Sequence, residues 1–273
     1  MLGVDRRAAY GCVMRDDLTK RDNSVQSVHR AISILQVLAA HGASGVTTIA
    51  EELGVHKSTV FRLLATLESR GLIEQNSERG RYRLGYGVVQ LAAGATKMDD
   101  LVMLSRPVCT QLAETVQETV NVAVHDGQAV ISIDQVLGSP TITTVNWVGQ
   151  RTPMHATAAG KVFLADMAPE QLDAFLEEGL DSYTPHTIAN PHMLRQELTL
   201  VRKRGFAHTR DEHEVGLSAV GAPIRTLDGH VIAAVTASGP TFRINDETLP
   251  GIADHVLAAA GEISQRHGYP RRG

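Results

Sequence analysis

The sequence is poor in cysteine, in aromatic residues and in long apolar runs. Its 273 residues include two cysteines, Cys12 and Cys109, one tryptophan, and only 4% aromatics. Two cysteines make no disulfide framework, and a reducing cytoplasm is the expected setting. No uninterrupted apolar stretch reaches about 18 residues, so no membrane span is expected. The opening MLGVDRRAAYGCVMRDD carries charge without an apolar core, unlike a secretory signal, and Met14 offers an alternative start. What is present, 43% hydrophobic and 21% charged residues, excludes a wholly disordered chain and a collagen. At about 100–200 residues per domain, the length allows one large domain or two modest ones.

The charge is uneven. Residues 1–97 carry 13 Lys+Arg against 9 Asp+Glu, whereas residues 98–273 carry 13 against 21. A basic front and an acidic rear point to a polyanion meeting the front alone. An excess of four over 97 residues is also within reach of chance, so the pattern of the front has to decide.

Residues 1–23 lack periodicity and read as a tail. From Ser24 a helix is expected to end near His41-Gly42, with Val25, Val28, Ile32, Leu35 and Leu38 as its apolar stripe. Thr47 or Thr48 is expected to cap a short second helix that Gly54 stops. Lys57 to Arg70 form a third, with Val60, Leu63, Leu64 and Leu67 at core spacing. LIEQ and RYRLG then read as a short hairpin. Three helices and a hairpin, with a tight turn between the second and third helices, have the spacing of a winged helix-turn-helix over residues 24–84.

The third helix carries the chemistry. Thr59, Arg62 and Thr66 share a face away from the apolar stripe, Lys57 and Ser58 lie near the N-terminus, and no acid appears before Glu68. Free N–H groups at a helix N-terminus also favour phosphate. Arg79, Arg81 and Arg83 alternate along the wing and so point to one side, where guanidinium groups suit a phosphate backbone or a minor groove. The bland reading is a solvated helix face in a packing module. The wing and the local charge favour double-stranded DNA.

Residues 85–97 read as a linker helix, and a long helix follows, with Leu101, Leu104, Val108, Leu112 and Val116 as its stripe and a possible kink at Arg106-Pro107. The period then shifts from 3.6 to 2. TVNVAVH and QAVISIDQV flank an Asp126-Gly127 turn, and TITTVNWV reads as a third strand. Helices follow after HATAAGK, at PEQLDAFLEE and at PHMLRQELTLVRKR. Strands return in GFAHTRDE, LSAVGAPIRT and HVIAAVTASG, and a last helix spans about Asp246 to His267. That order predicts an α+β domain over residues 98–273, an antiparallel sheet with helices against it.

These segments resemble the IclR family of bacterial transcription regulators. The front is similar in SVQSVHRAISILQVLA, TTIAEELGVHKSTVFRLLATLESRGLIEQ and RYRLG. The rear is similar in MHATAAGKVFLA, GFAHTRDEHEVGLSAVGAPI and AAVTASGP. The resemblance implies an N-terminal winged helix and a C-terminal GAF-like effector-binding domain, with dimers or tetramers on a pseudo-palindromic operator. It implies a small-molecule effector, commonly a small acid or an aromatic metabolite, and more often repression than activation. It places the effector pocket at Ala158-Ala159-Gly160, at Thr209 to Leu217 and at Thr236 to Ser238. Two positions depart from the family pattern: Ala219 stands where many relatives carry Cys, and Thr209 where some carry an acid.

Simple chemistry supports a small-molecule site. Ala158, Ala159 and Gly160 let a ligand approach the backbone at a helix start, whose N–H groups can hold a carboxylate. Thr236 and Ser238 face one side of a strand, and Trp147 can wall the pocket. The alternative for the first three is close packing, and for Trp147 the core. An enzyme is the competing class: His155, His208, His213, Asp211, Glu212 and Glu214 are of metal-ligand or hydrolase type. Yet HTRDEH is not H-E-x-x-H, Gly160-Lys161 lacks the first P-loop glycine, and there is no Gly-x-Ser-x-Gly. The expectation is a DNA-binding regulator with no catalytic residue, no metal and no cofactor.

Overall fold

The computed structural model describes residues 25–76, 80–93, 97–138 and 146–268. The chain divides into two compact units, with the division between Ala95 and Thr96.

The first unit is built from helices α1 (Gln26–His41), α2 (Val46–Leu53), α3 (Lys57–Ser69) and α4 (Tyr86–Ala93). Its strands are β1 (Ser44–Gly45), β2 (Ile73–Asn76) and β3 (Arg81–Leu84). The strands form an antiparallel sheet in the order β1-β3-β2. The hairpin β2–β3 is the expected wing, while the two-residue β1 gave no periodic signal. Ile34, Val37 and Leu38 of α1 meet Ile49, Val60, Leu64, Leu67, Ile73 and Tyr82 in one core. This corrects the expected α1 stripe. Val25, Val28 and Ile32 are 63%, 55% and 50% exposed. The helix is apolar on two sides, and the side through Ile34 and Leu38 is the one that α3 covers. The expected threonine cap is also corrected: Gly45 precedes α2 in extended backbone, and Thr47 and Thr48 lie exposed inside its first turns. Gly54 ends the helix at φ 62°, a left-handed conformation that glycine adopts without a side-chain clash.

α4 is tied to the wing. Gly87 donates to the Gly71 carbonyl at 2.8 Å, and a Cβ on Gly85 or Gly87 would lie 2.5 or 2.7 Å from that oxygen. Only glycine permits such an approach.

The second unit opens with α5 (Lys97–Val116). A six-stranded antiparallel sheet follows, in the order β6-β5-β4-β9-β8-β7. Its strands are β4 (Thr119–His125), β5 (Ala129–Val136), β6 (Arg151–Pro153), β7 (Ala207–Arg210), β8 (Leu217–Arg225) and β9 (Val231–Pro240). The helices α6 (Ala158–Asp166), α7 (Pro169–Glu177) and α8 (Pro191–Arg204) precede β7, and α9 (Leu249–Arg266) ends the unit. Alternation along the strands gives the sheet two apolar faces. Val120, Val122, Val220, Val235 and Ala237 face α5 and α9, and Ala123, Val130, Ala207 and Ala234 face α6, α7 and α8. The expected strand TITTVNWV has residues 141–145 outside the described residues, and Val148 makes only an isolated bridge to Ser132. The edge strand is β6 instead. The last helix starts at Leu249, later than expected, because the Asn245 carboxamide accepts from the Glu247 and Thr248 amides and holds a turn there.

Candidate functional site

Two surfaces concentrate the chemistry, one in each unit. In the first, α2 and α3 form a helix-turn-helix around Gly54-Val55-His56. His56 precedes α3 in extended backbone and makes no side-chain cap bond, so the amides of the first turn have no side-chain acceptor. Val60, Leu64 and Leu67 bury one face of α3. The opposite face presents Lys57, Ser58, Phe61, Arg62, Ala65 and Thr66 to solvent, and Thr59 is half-buried at its margin. Lys57 and Arg62 enter no ion pair among the described residues. The Thr66 hydroxyl donates to the Arg62 carbonyl at 3.0 Å, which leaves it only as an acceptor. Phe61, 54% exposed, is the residue that the sequence reading missed. At about 100° per residue it stands about 60° from Leu64 and about 40° from the exposed Ala65, at the edge of the packed stripe, where apolar character alone does not say whether a side chain packs or projects.

In the wing, Arg81 and Arg83 are exposed on one side of β3 and Tyr82 is buried on the other. Arg79 lies outside the described residues. The expected row of free guanidinium groups is modified at Arg83, whose Nε meets Glu74 Oε1 at 2.5 Å across the β2–β3 register pair. Both partners are about half exposed. Such a pair contributes about 0–1 kcal/mol, so its exchange for a phosphate is cheap.

In the second unit a cavity of about 90 Å³ lies between the sheet and the start of α6. Eight of the nine expected positions line it: Trp147, Ala158, Ala159, Thr209, Leu217, Ala219, Thr236 and Ser238. Strand pairing explains the grouping, since Thr209, Ala219 and Ser238 are successive register partners across β7, β8 and β9. Gly160 does not line it. A Cβ there would lie 2.0 Å from the Met154 carbonyl oxygen, so this glycine serves packing. Thr157 caps α6 by accepting from the Gly160 amide at 3.2 Å, leaving the Ala158 and Ala159 amides as the helix's open donors. The sequence reading also missed Asn121, Ser132, Thr152 and His213, which line the same cavity. Asn121 had a visible signal, one polar side chain in the apolar run TVNVAV.

The histidine and carboxylate groups are engaged structurally. Lys161 Nζ and Glu212 Oε1 form an ion pair at 2.6 Å, with side chains 1% and 8% exposed. Burial raises the Glu212 carboxyl above its ordinary range, against the opposing pull of Lys161. Asp211, at φ 59°, accepts from the Gly216 amide at 2.6 Å and from the Thr241 hydroxyl at 3.1 Å. Thr187 donates to the Glu212 carbonyl at 2.6 Å. These bonds fix the loop that carries His213, whose ring lies 5.9 Å from Trp147 and 5.5 Å from Tyr183. Burial lowers His213 and His155, and it lowers His208 to about 4, aided by the charges of Arg204 and Lys161. All three rings are therefore neutral near pH 7. Among the described residues, no group of three or more His, Cys, Asp or Glu side chains could hold a metal ion. No described helix is long and apolar enough to cross a membrane.

A winged helix-turn-helix joined to a domain with a small cavity defines a DNA-binding transcription regulator. The comparisons with known proteins specify it further. The model of the IclR helix-turn-helix domain matches residues 27–77, and that of the bacterial transcriptional regulator IclR C-terminal region matches residues 93–265. The transcriptional repressor IclR of Escherichia coli K12 is 33% identical over 252 residues, covering 90% of this chain and 92% of its own length. The HTH-type transcriptional repressor AllR of the same organism is 32% identical over 241 residues, covering 88% and 89%. Among solved structures, Thermotoga maritima IclR agrees at a TM-score of 0.74 with 29% identity, covering 90% of this chain and all of that one. The chain belongs to the IclR family. Its relatives named above are transcription regulators, and its sheet and helix-turn-helix have the architecture of the family.

Proposed function

We propose that this protein is a cytoplasmic repressor that binds a pseudo-palindromic operator as a homodimer or homotetramer and changes its affinity when a small metabolite enters the second unit. The observation that carries the DNA assignment is the outward face of α3, where Lys57, Ser58 and Arg62 stand exposed while the apolar residues pack inward. Arg62 reads a base edge, most naturally guanine O6 and N7, and Phe61 offers a contact for a thymine methyl. Lys57, Ser58 and Thr59 hold phosphates, helped by the open amides at the start of α3, and the Thr66 hydroxyl, already donating to the Arg62 carbonyl, offers an acceptor beside them. Arg81, Arg83 and Arg79 of the wing add sequence-independent attraction. Apolar side chains left in solvent on this unit support a second copy: Val25 just before α1, Val28 and Ile32 on it, and Tyr86, Val89 and Leu91 on α4.

The cavity, with Ala158, Ala159, Thr209, Leu217, Ala219, Thr236, Ser238 and Trp147 on its walls, receives the effector. A ligand shifts the regulator only by binding one arrangement of the units better, and about 5.5 kcal/mol of preference takes 1:99 to 99:1. The test is selection of duplexes from a random pool by the full chain, followed by footprinting. Enriched sites should be inverted repeats with half-site centres about 34 Å apart. Binding that shows no sequence preference at any salt concentration overturns the reading.

A further inference from the structure

One polar atom in the cavity is unanswered. Asn121 is 7% exposed, and its Oδ1 has no hydrogen-bond partner among the described residues. The carboxamide orientation follows from its neighbour. Ser238 Oγ donates to the Thr119 carbonyl at 3.4 Å, so it can only receive from Asn121, whose Nδ2 lies 3.5 Å away. The carboxamide nitrogen is thus turned to Ser238, and the oxygen is left for another donor. A buried acceptor without a donor is unfavourable, and a ligand hydroxyl would relieve it.

A second group faces the same space with the opposite demand. The Ala158 and Ala159 amides are open donors at the start of the nine-residue α6, and both residues line the cavity. Among the described residues, no lysine, arginine, aspartate or glutamate side chain lines it. A carboxylate held there meets no repelling acid, because position 209 is a threonine.

The register sets the distance between the two groups. Asn121 pairs with Thr236, and Thr236 pairs with Gly221. A Cβ on Gly221 would touch Thr236 Cγ2 at 3.1 Å and the Ala158 carbonyl carbon at 3.2 Å, so Ala158 stands above Gly221. Asn121 and Ala158 are therefore about two strand spacings apart, roughly 10 Å. Across that backbone separation Asn121 and the start of α6 line the same cavity, so one small molecule carrying a carboxylate and a hydroxyl can reach both.

We propose that the effector is a small hydroxy carboxylic acid, with its carboxylate on the Ala158 and Ala159 amides and its hydroxyl donating to Asn121 Oδ1. This rests on the effector reading above and narrows it to a ligand class. Asn121 is the residue that separates a hydroxy acid from the same acid without the hydroxyl.

The test is calorimetry on the full chain with glycolate, L- and D-lactate and 3-hydroxybutyrate, against propionate and lactamide. At least one hydroxy acid should bind roughly tenfold or more tightly than propionate and lactamide, in line with one well-placed hydrogen bond at each end. In Asn121→Ala the preference over propionate should vanish while propionate binding is unchanged. Unliganded DNA binding and the thermal melt of the variant serve as controls for folding. Equal binding of lactate and propionate by the wild type overturns the proposal, as does a preference that survives in Asn121→Ala, or equal binding of lactamide. Failure of every hydroxy acid rejects this ligand class. The regulator reading stands or falls separately, on the operator selection.

Discussion

The two units handle polar groups in opposite ways. The first leaves Lys57, Arg62 and Arg81 in water, and its core of α1, α2, α3 and the wing is almost wholly apolar, with Ser33 and Ser44 the buried polar side chains among the described residues. The second draws Asn121, Thr209, Thr236, Lys161 and Glu212 inside, between a sheet face and α6. A surface for a long polyanion needs charges that keep their reach and pay no desolvation penalty before contact. A site for a small molecule needs walls, and its polar groups must find partners or wait for the ligand. Substitutions of charged residues should therefore separate the units: binding changes without stability in the first, and stability changes in the second.

The largest effect is expected at Lys161. Its ammonium is buried against Glu212, and removing one partner of a buried pair leaves the other charge uncompensated. Lys161→Ala should destabilise the second unit by about 3–5 kcal/mol. Trp147 is the only tryptophan and lies in the second unit, so denaturant titration followed by its fluorescence reports that unit. Replacing both partners, as in Lys161→Met with Glu212→Leu, should recover most of the loss. A loss below about 1 kcal/mol for Lys161→Ala would mean that the pair holds the Asp211–Gly216 loop less firmly than its burial indicates.

Arg62 marks the other side of the contrast. Arg62→Ala should weaken operator binding by about 1–3 kcal/mol and flatten base preference at one position per half-site. The thermal stability should move by less than about 0.5 kcal/mol, as for an exposed residue without a structural partner. Fluorescence anisotropy on operator and random duplexes measures the first effect, and a melt measures the second. Equal losses on both duplexes would assign Arg62 to the phosphate backbone instead.

The same contrast decided what was legible in the sequence. α3 was readable because Val60, Leu64 and Leu67 repeat at helical spacing and have one place to go. α1 was misread because two apolar faces compete on it, and periodicity does not say which one a neighbour will cover. Phe61 drew no reading for a related reason: it stands at the edge of the apolar stripe, where periodicity does not say whether a side chain packs or projects. In the second unit the strand positions of Thr209, Ala219, Thr236 and Ser238 placed them on one face once β7, β8 and β9 paired in register. Asn121 sits on a strand far off in sequence, and only the β4–β9 pairing brings it beside Thr236. Gly160 was legible as a small residue, but whether it yields space to a ligand or to the Met154 backbone is a matter of tertiary placement.

The smallest expected effect concerns Glu74, the one acid among the described residues of the basic wing. Its carboxylate holds Arg83 across the hairpin, and the pair is exposed, so it adds little to stability. Glu74→Gln should leave the melt unchanged within about 0.5 kcal/mol while it frees Arg83 and removes a negative charge beside the DNA. The plot of log affinity against log salt should then steepen by about one per protomer, on operator and random duplexes alike, because one more phosphate displaces its counterion. Arg83→Ala alone should weaken binding without steepening the plot, since it leaves Glu74 unpaired next to the phosphates. An unchanged slope in Glu74→Gln would place Arg83 away from the backbone and leave Arg81 as the only described wing cation that meets it.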